Sequence, residues 1–470
     1  MTRTFFLVVV VALAAAALAM TSHAGRSGKW DVVSSGGTSR PVGEIGHVRT
    51  PDGMLHVLWV RRTGGTSYDL MHSQISPAGA VRAPTPVVTG WAGLGGVSVV
   101  APGGGVLYAW FPGIRSTAPD EPYFGLNFAS WSTAGWSLAG SGSSFRDQFA
   151  HGRTPSSSVV ERTGITTSVI AWDGRDGVGV LGAGPSFKLG YGPNGSTATC
   201  CNHGVNVATH AASGKTFLAW CTMNQGANGI WAQEVNTFGR SQFGSPLGAA
   251  VKMPGSTNAQ GQRICDVGQR VPLVVRPDGT FWIAAKDGLN RSVLVWRIGA
   301  SRANRVSSRT DTFRRVGLAA APDGRLWVGW GTFQNHARLH FRRSNARATL
   351  FGAVVSIRGP RRTVEVQVID ASAQMGRLDV LATYSAVPGS DLWHSQALPG
   401  LTLTATGGRV VRFRVTDARE PVTGATIAVA GRRIRTNRAG RASIDLRPGR
   451  YSAVASKRGY VAARARVRSR

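Results

Sequence analysis

The apolar positions of this chain gather into one recurring phrase, a tight turn followed by a short hydrophobic strand. It is clearest at Pro51-Asp-Gly-Met-Leu-His-Val-Leu-Trp-Val60. It returns at Pro102–Trp110, Arg162–Trp172, Ala212–Trp220, Pro277–Ala285 and Pro322–Trp330, and more weakly at Gly376–Ala382. Measured at the position of Trp59, the steps are 51, 62, 48, 65, 45 and 52 residues. A phrase repeated at such intervals predicts a β-propeller in which each copy is one blade.

Within a copy, an apolar strand leads into the turn, a second strand leaves it, and a polar loop and further strands follow. The weak last copy is supported by a second match. Asp69-Leu-Met-His-Ser-Gln74 in the first repeat answers Asp391-Leu-Trp-His-Ser-Gln396 in the last. The fold class expected is therefore all-β, a seven-bladed β-propeller with six blades as the alternative, followed by a small β-sandwich. The piece Lys29-Trp-Asp-Val-Val33 stands where other repeats carry an outer strand, so it is expected to pair with the last blade and close the ring. The shared places of Trp59, Trp110, Trp172, Trp220 and Trp330 predict packing between blades. Asp52, Asp278 and Asp323 sit in turns, where a short acceptor caps the backbone.

After Pro399-Gly400 the texture changes to short alternating strands separated by turns. This module, 401–470, holds 17 Arg and Lys against three acids, Asp417, Glu420 and Asp445. At the other end, Arg3, the apolar run Phe5–Met20 and the small residues of Ser22-His-Ala24 read as a signal peptide over 1–24, leaving a propeller over 25–400. The expected location is secreted or associated with a bacterial cell envelope, with no transmembrane segment after the signal is removed.

Export makes Cys200, Cys201, Cys221 and Cys265 disulfide candidates. Either Cys200 or Cys201 pairs with Cys221 and the other with Cys265, or Cys200 bridges Cys201 and Cys221 bridges Cys265. The formal charge of +31 draws polyanions. Only six of the 54 basic residues are Lys, and the arginines are scattered through the repeats.

In a propeller, the loops between second and third strands and those between blades gather at one end of the channel, with the Pro-Asp-Gly turns at the other. That sorting nominates Arg61, Arg62, Tyr68, Arg115, Asp120, Glu121, Tyr123, Asp173, Arg175, Asp176, Lys286 and Arg291 as ligand-binding candidates. The loop Gly113–Pro122 and the stretch Ala171–Gly177 bring carboxylates and guanidiniums from adjacent blades. Paired acids could perform hydrolysis, and Arg could hold a sugar carboxylate in bidentate fashion. An ion-pair network that orders the loops is the competing structural role. The sequence shows no cofactor motif and no metal-ligand spacing, so no cofactor and no metal are expected.

Two resemblances carry further expectations. Pro421-Val-Thr-Gly-Ala425, Thr436-Asn-Arg-Ala-Gly-Arg-Ala442, Leu446-Arg-Pro-Gly-Arg-Tyr451 and Gly459-Tyr460 resemble the carboxypeptidase regulatory-like family over residues 409–468, which implies a non-catalytic, transthyretin-like sandwich. Leu55–Trp59, the Gly113–Pro122 loop, Gly125-Leu-Asn-Phe-Ala-Ser130 with Trp136, and Cys200-Cys201 resemble exported sialidase-like proteins of the BNR/Asp-box superfamily over roughly 30–400. No Arg-Ile-Pro element and no intact Ser-x-Asp-x-Gly-x-Thr-Trp box occurs, so no catalytic residue is carried over. The function expected is a monomeric, non-catalytic propeller binding an extracellular or envelope ligand such as carbohydrate. Its alternatives are a sialidase-like glycoside hydrolase or lyase with an atypical site, and an envelope protein contacting anionic polymer. No nucleic acid partner is expected.

Overall fold

The computed structural model describes residues 28–35, 42–115, 125–142, 155–162, 165–174, 177–181, 187–189, 202–223, 227–237, 245–257, 269–289, 291–307, 313–332, 338–360, 365–385 and 390–470. Among these every regular element is a β-strand. The recurring phrase becomes an antiparallel hairpin each time. Leu55–Gly64 pairs with Val42–Arg49 across the Pro51-Asp-Gly turn, and Leu326–Thr332 pairs with Phe313–Ala320 across Pro322-Asp-Gly. Gly53, Gly279 and Gly324 hold φ of 84°, 77° and 78° in these turns, a region open to Gly at no steric cost. Asp278 accepts from the Thr280 amide at 3.1 Å and hydroxyl at 2.6 Å, and Asp52 and Asp323 accept from Met54 and Arg325 amides at 3.2 Å.

Consecutive strands form a series of antiparallel sheets along the chain. Their first strands are Val42–Arg49, Ser98–Gly103, Ser156–Arg162, Asn202–Thr209, Leu273–Val275, Phe313–Ala320 and Glu365–Gln374. Each of these neighbours the next in that order, and the last neighbours the first, so they form a closed ring around a channel. The N-terminal strand Asp31–Ser35 pairs with Ser390–Ala397 of the last of these sheets, as its place in the sequence predicts. Thus strands from the two ends of the ring share one sheet, whose hydrogen bonds tie those ends together.

The core lies between successive sheets. Trp59 is fully buried with Leu381 and Leu392 of the last sheet. Trp220 packs with Val169 and Ala171 of the third, and Trp330 with Trp282 and Ala284 of the fifth. Trp110 is only half-buried and packs on Phe128 of its own sheet, at 4.5 Å between ring centroids. The Trp172 side chain lies outside the described residues.

Residues 401–470 form two further four-stranded sheets with a shared core of Val411, Phe413, Ile427, Ala453, Ala455 and Val467. This module is fixed to the ring by a buried ion pair. Arg343 Nε lies 3.1 Å from Asp417 Oδ2, Nη2 contacts the same oxygen, and the guanidinium stacks on Trp327 and Tyr460 at 5.7 and 5.6 Å. Arg325 pairs with Glu420, whose other oxygen accepts the Ala346 amide at 3.0 Å.

Candidate functional site

The channel encloses about 510 Å³, lined by Glu44, Gln269 and Arg270 near the beginnings of the inner strands and by His47, Arg49, Thr209 and Ser372 near their ends. Those beginnings lie away from the Pro-Asp-Gly turns, because each inner strand runs toward its turn. Hydrogen bonds step from sheet to sheet around this mouth. The Val97 amide donates to Glu44 O at 3.1 Å, Ser98 and Ser157 share a hydroxyl bond at 2.7 Å, and Ser156 donates to Asn206 Oδ1 at 2.6 Å. Asn206 Nδ2 donates to Val271 O at 2.8 Å and Gln269 Nε2 to Val316 O at 2.9 Å. Nearer the turns, between the last and first sheets, His47 Nε2 donates to Ala371 O at 3.1 Å. Burial, with Arg270 and Arg49 beside it, pushes His47 down to about 4, so the ring is neutral at physiological pH.

Arg270 binds these strands together. Its backbone amide and Nε both donate to Glu44, and Nη2 donates to Ile45 O and Val97 O at 3.2 and 3.1 Å. The close crossing nearby requires Gly204, which has φ of 65° and whose carbonyl takes the Val271 amide at 2.7 Å, because a Cβ there would overlap the Gln269 carbonyl.

Further out on the same end, the structure brings four of the sequence candidates together. Arg62 and Tyr68 are register partners, Tyr68 pairs with Trp91, and Arg115 from the next sheet lies 5.6 Å over the Trp91 ring. Arg62 sits 5.9 Å over Tyr68 and is held by Gly65 O at 2.8 Å from Nε. Arg61 pairs with Asp69 at 3.0 Å, and the other Asp69 oxygen takes the Gly90 amide at 3.0 Å. Gly113 permits the approach, since a Cβ would meet Leu94 and the Trp91 ring at 2.7 and 2.8 Å.

The remaining candidates stand apart from this patch. Lys286 is buried and lines a 40 Å³ cavity with Cys221, Gln269 and Arg270. Arg291 is exposed, its amide capped by Asp287 Oδ1 at 2.7 Å. Asp173 belongs to the strand Ile165–Gly174, with its side chain outside the described residues. Asp120, Glu121, Tyr123, Arg175 and Asp176 lie outside the described residues, as do Cys200, Cys201 and Cys265. Cys221 is disulfide-bonded.

Sequence reasoning missed Glu44, Ser98, Ser156, Ser157, Asn206, Gln269 and Arg270. The available signal was positional, a polar residue one to three places before each inner apolar run. Chemically, the patch offers guanidinium donors beside aromatic faces. The carboxylates of Glu44 and Asp69 are each committed to a guanidinium. Among the described residues no group of three or more His, Cys, Asp or Glu side chains could hold a metal ion, and no helix is long and apolar enough to cross a membrane.

No family model matches the sequence, and no curated protein sequence matches it. Similar solved structures are found. The BP39L lectin from Burkholderia pseudomallei is 16% identical with a TM-score of 0.52, covering 76% of this chain and 96% of the lectin. An α-L-arabinofuranosidase from Fusarium graminearum is 10% identical with a TM-score of 0.43, covering 71% and 98%. An ulvan lyase is 8% identical with a TM-score of 0.47, covering 79% and 96%. At these identities the likeness to the lectin is one of fold alone: the chain has an all-β, propeller-like architecture.

Proposed function

We propose that the protein is an exported, non-catalytic seven-bladed β-propeller, with a C-terminal carboxypeptidase regulatory-like sandwich, that binds carbohydrate on the rim carrying Arg61, Arg62, Tyr68 and Arg115. The observation that carries this reading is the contiguous run Arg62, Tyr68, Trp91 and Arg115 across two adjacent sheets. An exposed guanidinium on Arg115 and half-buried ones on Arg61 and Arg62, beside the half-exposed Tyr68 ring, suit a saccharide, whose hydroxyls need directed donors and whose C–H face needs apolar contact. The lectin of similar fold supports a saccharide ligand. In this reading residues 1–24 are a signal peptide, 25–400 the propeller and 401–470 the sandwich, and the protein acts as a monomer outside the cytoplasm.

A glycan array tests the proposal. The wild-type chain is expected to bind a discrete set of glycans, and the double variant Arg62→Ala, Arg115→Ala to lose those signals while keeping its far-ultraviolet circular dichroism. Release of shortened saccharides from any bound glycan would instead show an enzyme.

A further inference from the structure

The outward face of one sheet in the C-terminal module is built unlike any other surface described above. Its strands lie in the order Arg432–Arg435, Thr426–Val429, Gly449–Ser456 and Ala463–Ser469. Alternation puts Ile434, Ile427, Val429, Ala453, Ala455 and Val467 into the core. The opposite face therefore presents Arg433 and Arg435 along one edge and Arg450, Arg464, Arg466 and Arg468 toward the other, all exposed. Between them lie only Thr426, Ala428, Ser452, Val454 and Ser456. No acid stands on this face, and none of the six arginines makes an ion pair among the described residues.

The register makes this arrangement costly for the isolated protein. Arg450 is directly opposite Arg468, and like charges in register destabilise a sheet. Arg466 stands opposite Ser452 and Arg464 opposite Val454. Successive arginines on the edge strand are roughly 6.6 Å apart, and the two arginine-bearing edges are about 14 Å apart across three strand spacings. A groove of about 540 Å³ opens along Arg450, Tyr451, Ser452, Arg466, Val467 and Arg468.

We propose that this face is a second binding site, taking a linear polysaccharide that carries carboxylate or sulfate groups. A floor of small side chains lets a sugar chain lie flat on the sheet. Arginine walls on both sides meet anionic groups projecting to either side, with the fork geometry suited to carboxylate and sulfate. Single-stranded nucleic acid finds no run of stacking platforms, since Tyr451 is the one aromatic lining the groove, and its ring packs on the core while its hydroxyl donates to Arg447 O at 2.8 Å. The choice of a saccharide rests on the carbohydrate reading of the ring, whereas the anionic specificity rests on this face alone.

The test measures binding of the full chain to polygalacturonate, with neutral dextran, a duplex oligonucleotide and phosphatidylglycerol vesicles as comparators. The triple variant Arg450→Ser, Arg466→Ser, Arg468→Ser is compared with a charge-matched control on the opposite sheet, Arg412→Ser, Arg414→Ser, Arg441→Ser, whose positions are also exposed. Polygalacturonate is expected to bind in preference to the three comparators, to weaken at least tenfold in the first variant and less than threefold in the control, and to raise the wild-type melting temperature. Equal losses in both variants would reduce the effect to net charge and overturn the proposal, as would tighter binding of DNA or vesicles. Neutral glycan binding on the array reads the ring site separately: a chain that binds polygalacturonate through this face and no neutral glycan keeps this inference and loses that one.

Discussion

Arg270 is bonded through its backbone amide and its side chain to the carboxylate of Glu44, 226 residues away in the chain and on the far side of the ring's sequence. Glu44 is buried and Arg270 nearly so, which takes both charges out of water and makes each depend on the other. Replacing Glu44 by Ala is expected to cost about 3–5 kcal/mol, because the guanidinium stays behind without its counter-charge. Urea unfolding measures it. A double-mutant cycle with Arg270→Met separates the pair's coupling from the loss of either side chain alone.

A stacked pair of buried histidines sets the response to acid. His56 Nδ1 and His72 Nε2 are 3.0 Å apart, with ring centroids at 5.2 Å and planes within 6°, against the edges of Trp131 and Trp136. Burial pushes His56 down to about 4 and His72 to about 3. Since the unfolded chain takes up these protons near pH 6.5, stability is fully present above that pH and falls as pH drops toward 4 and then 3. His47 acts in the same direction. Unfolding measured between pH 7 and 4 should show the decline, and the double variant His56→Phe, His72→Phe should show a flatter one.

The ion pair Arg343–Asp417 couples the C-terminal module to the ring. Asp417→Ala leaves Arg343 buried against Trp327 and Tyr460 without a carboxylate, and is expected to cost about 3–5 kcal/mol at that junction. Calorimetry should then resolve the module from the ring as a separate transition, where the wild-type chain unfolds in fewer steps.

On the rim, Arg61 and Asp69 form a partly exposed pair at 3.0 Å. Asp69 is buried and keeps only the Gly90 amide when the guanidinium is removed, so Arg61→Ala should lower stability by about 3 kcal/mol. Glycan affinity is expected to fall at least tenfold. Parallel titration and melting experiments distinguish this from a general loss of fold.

The hairpins of the ring were legible because each carries its own local instructions, Pro-Asp-Gly turns before apolar strands such as Leu55–Val60 and Leu326–Trp330. The matched phrases around His72 and His394 also pointed to equivalent positions, and both histidines are buried on the third strands of their sheets. What each histidine meets was not legible. His72 faces His56, whereas His394 Nε2 donates to Asp379 at 2.9 Å, a carboxylate that also takes Arg49 at 2.5 Å and Gln396 at 2.8 Å. Such pairs depend on how strands far apart in sequence come together, as do Arg270 with Glu44 and Arg343 with Asp417. The aromatic that joins the rim arginines, Trp91, carried no repeat signal, because it lies on an outer strand where the phrase has no fixed residue.

The most direct measurement is the position of a bound saccharide, determined from a crystal of the protein grown with a glycan identified on the array. The sugar is expected on the rim, against Tyr68 and within hydrogen-bond reach of Arg62 or Arg115. A saccharide seated at the Pro-Asp-Gly turns, or on the outer strands with this rim vacant, would contradict it.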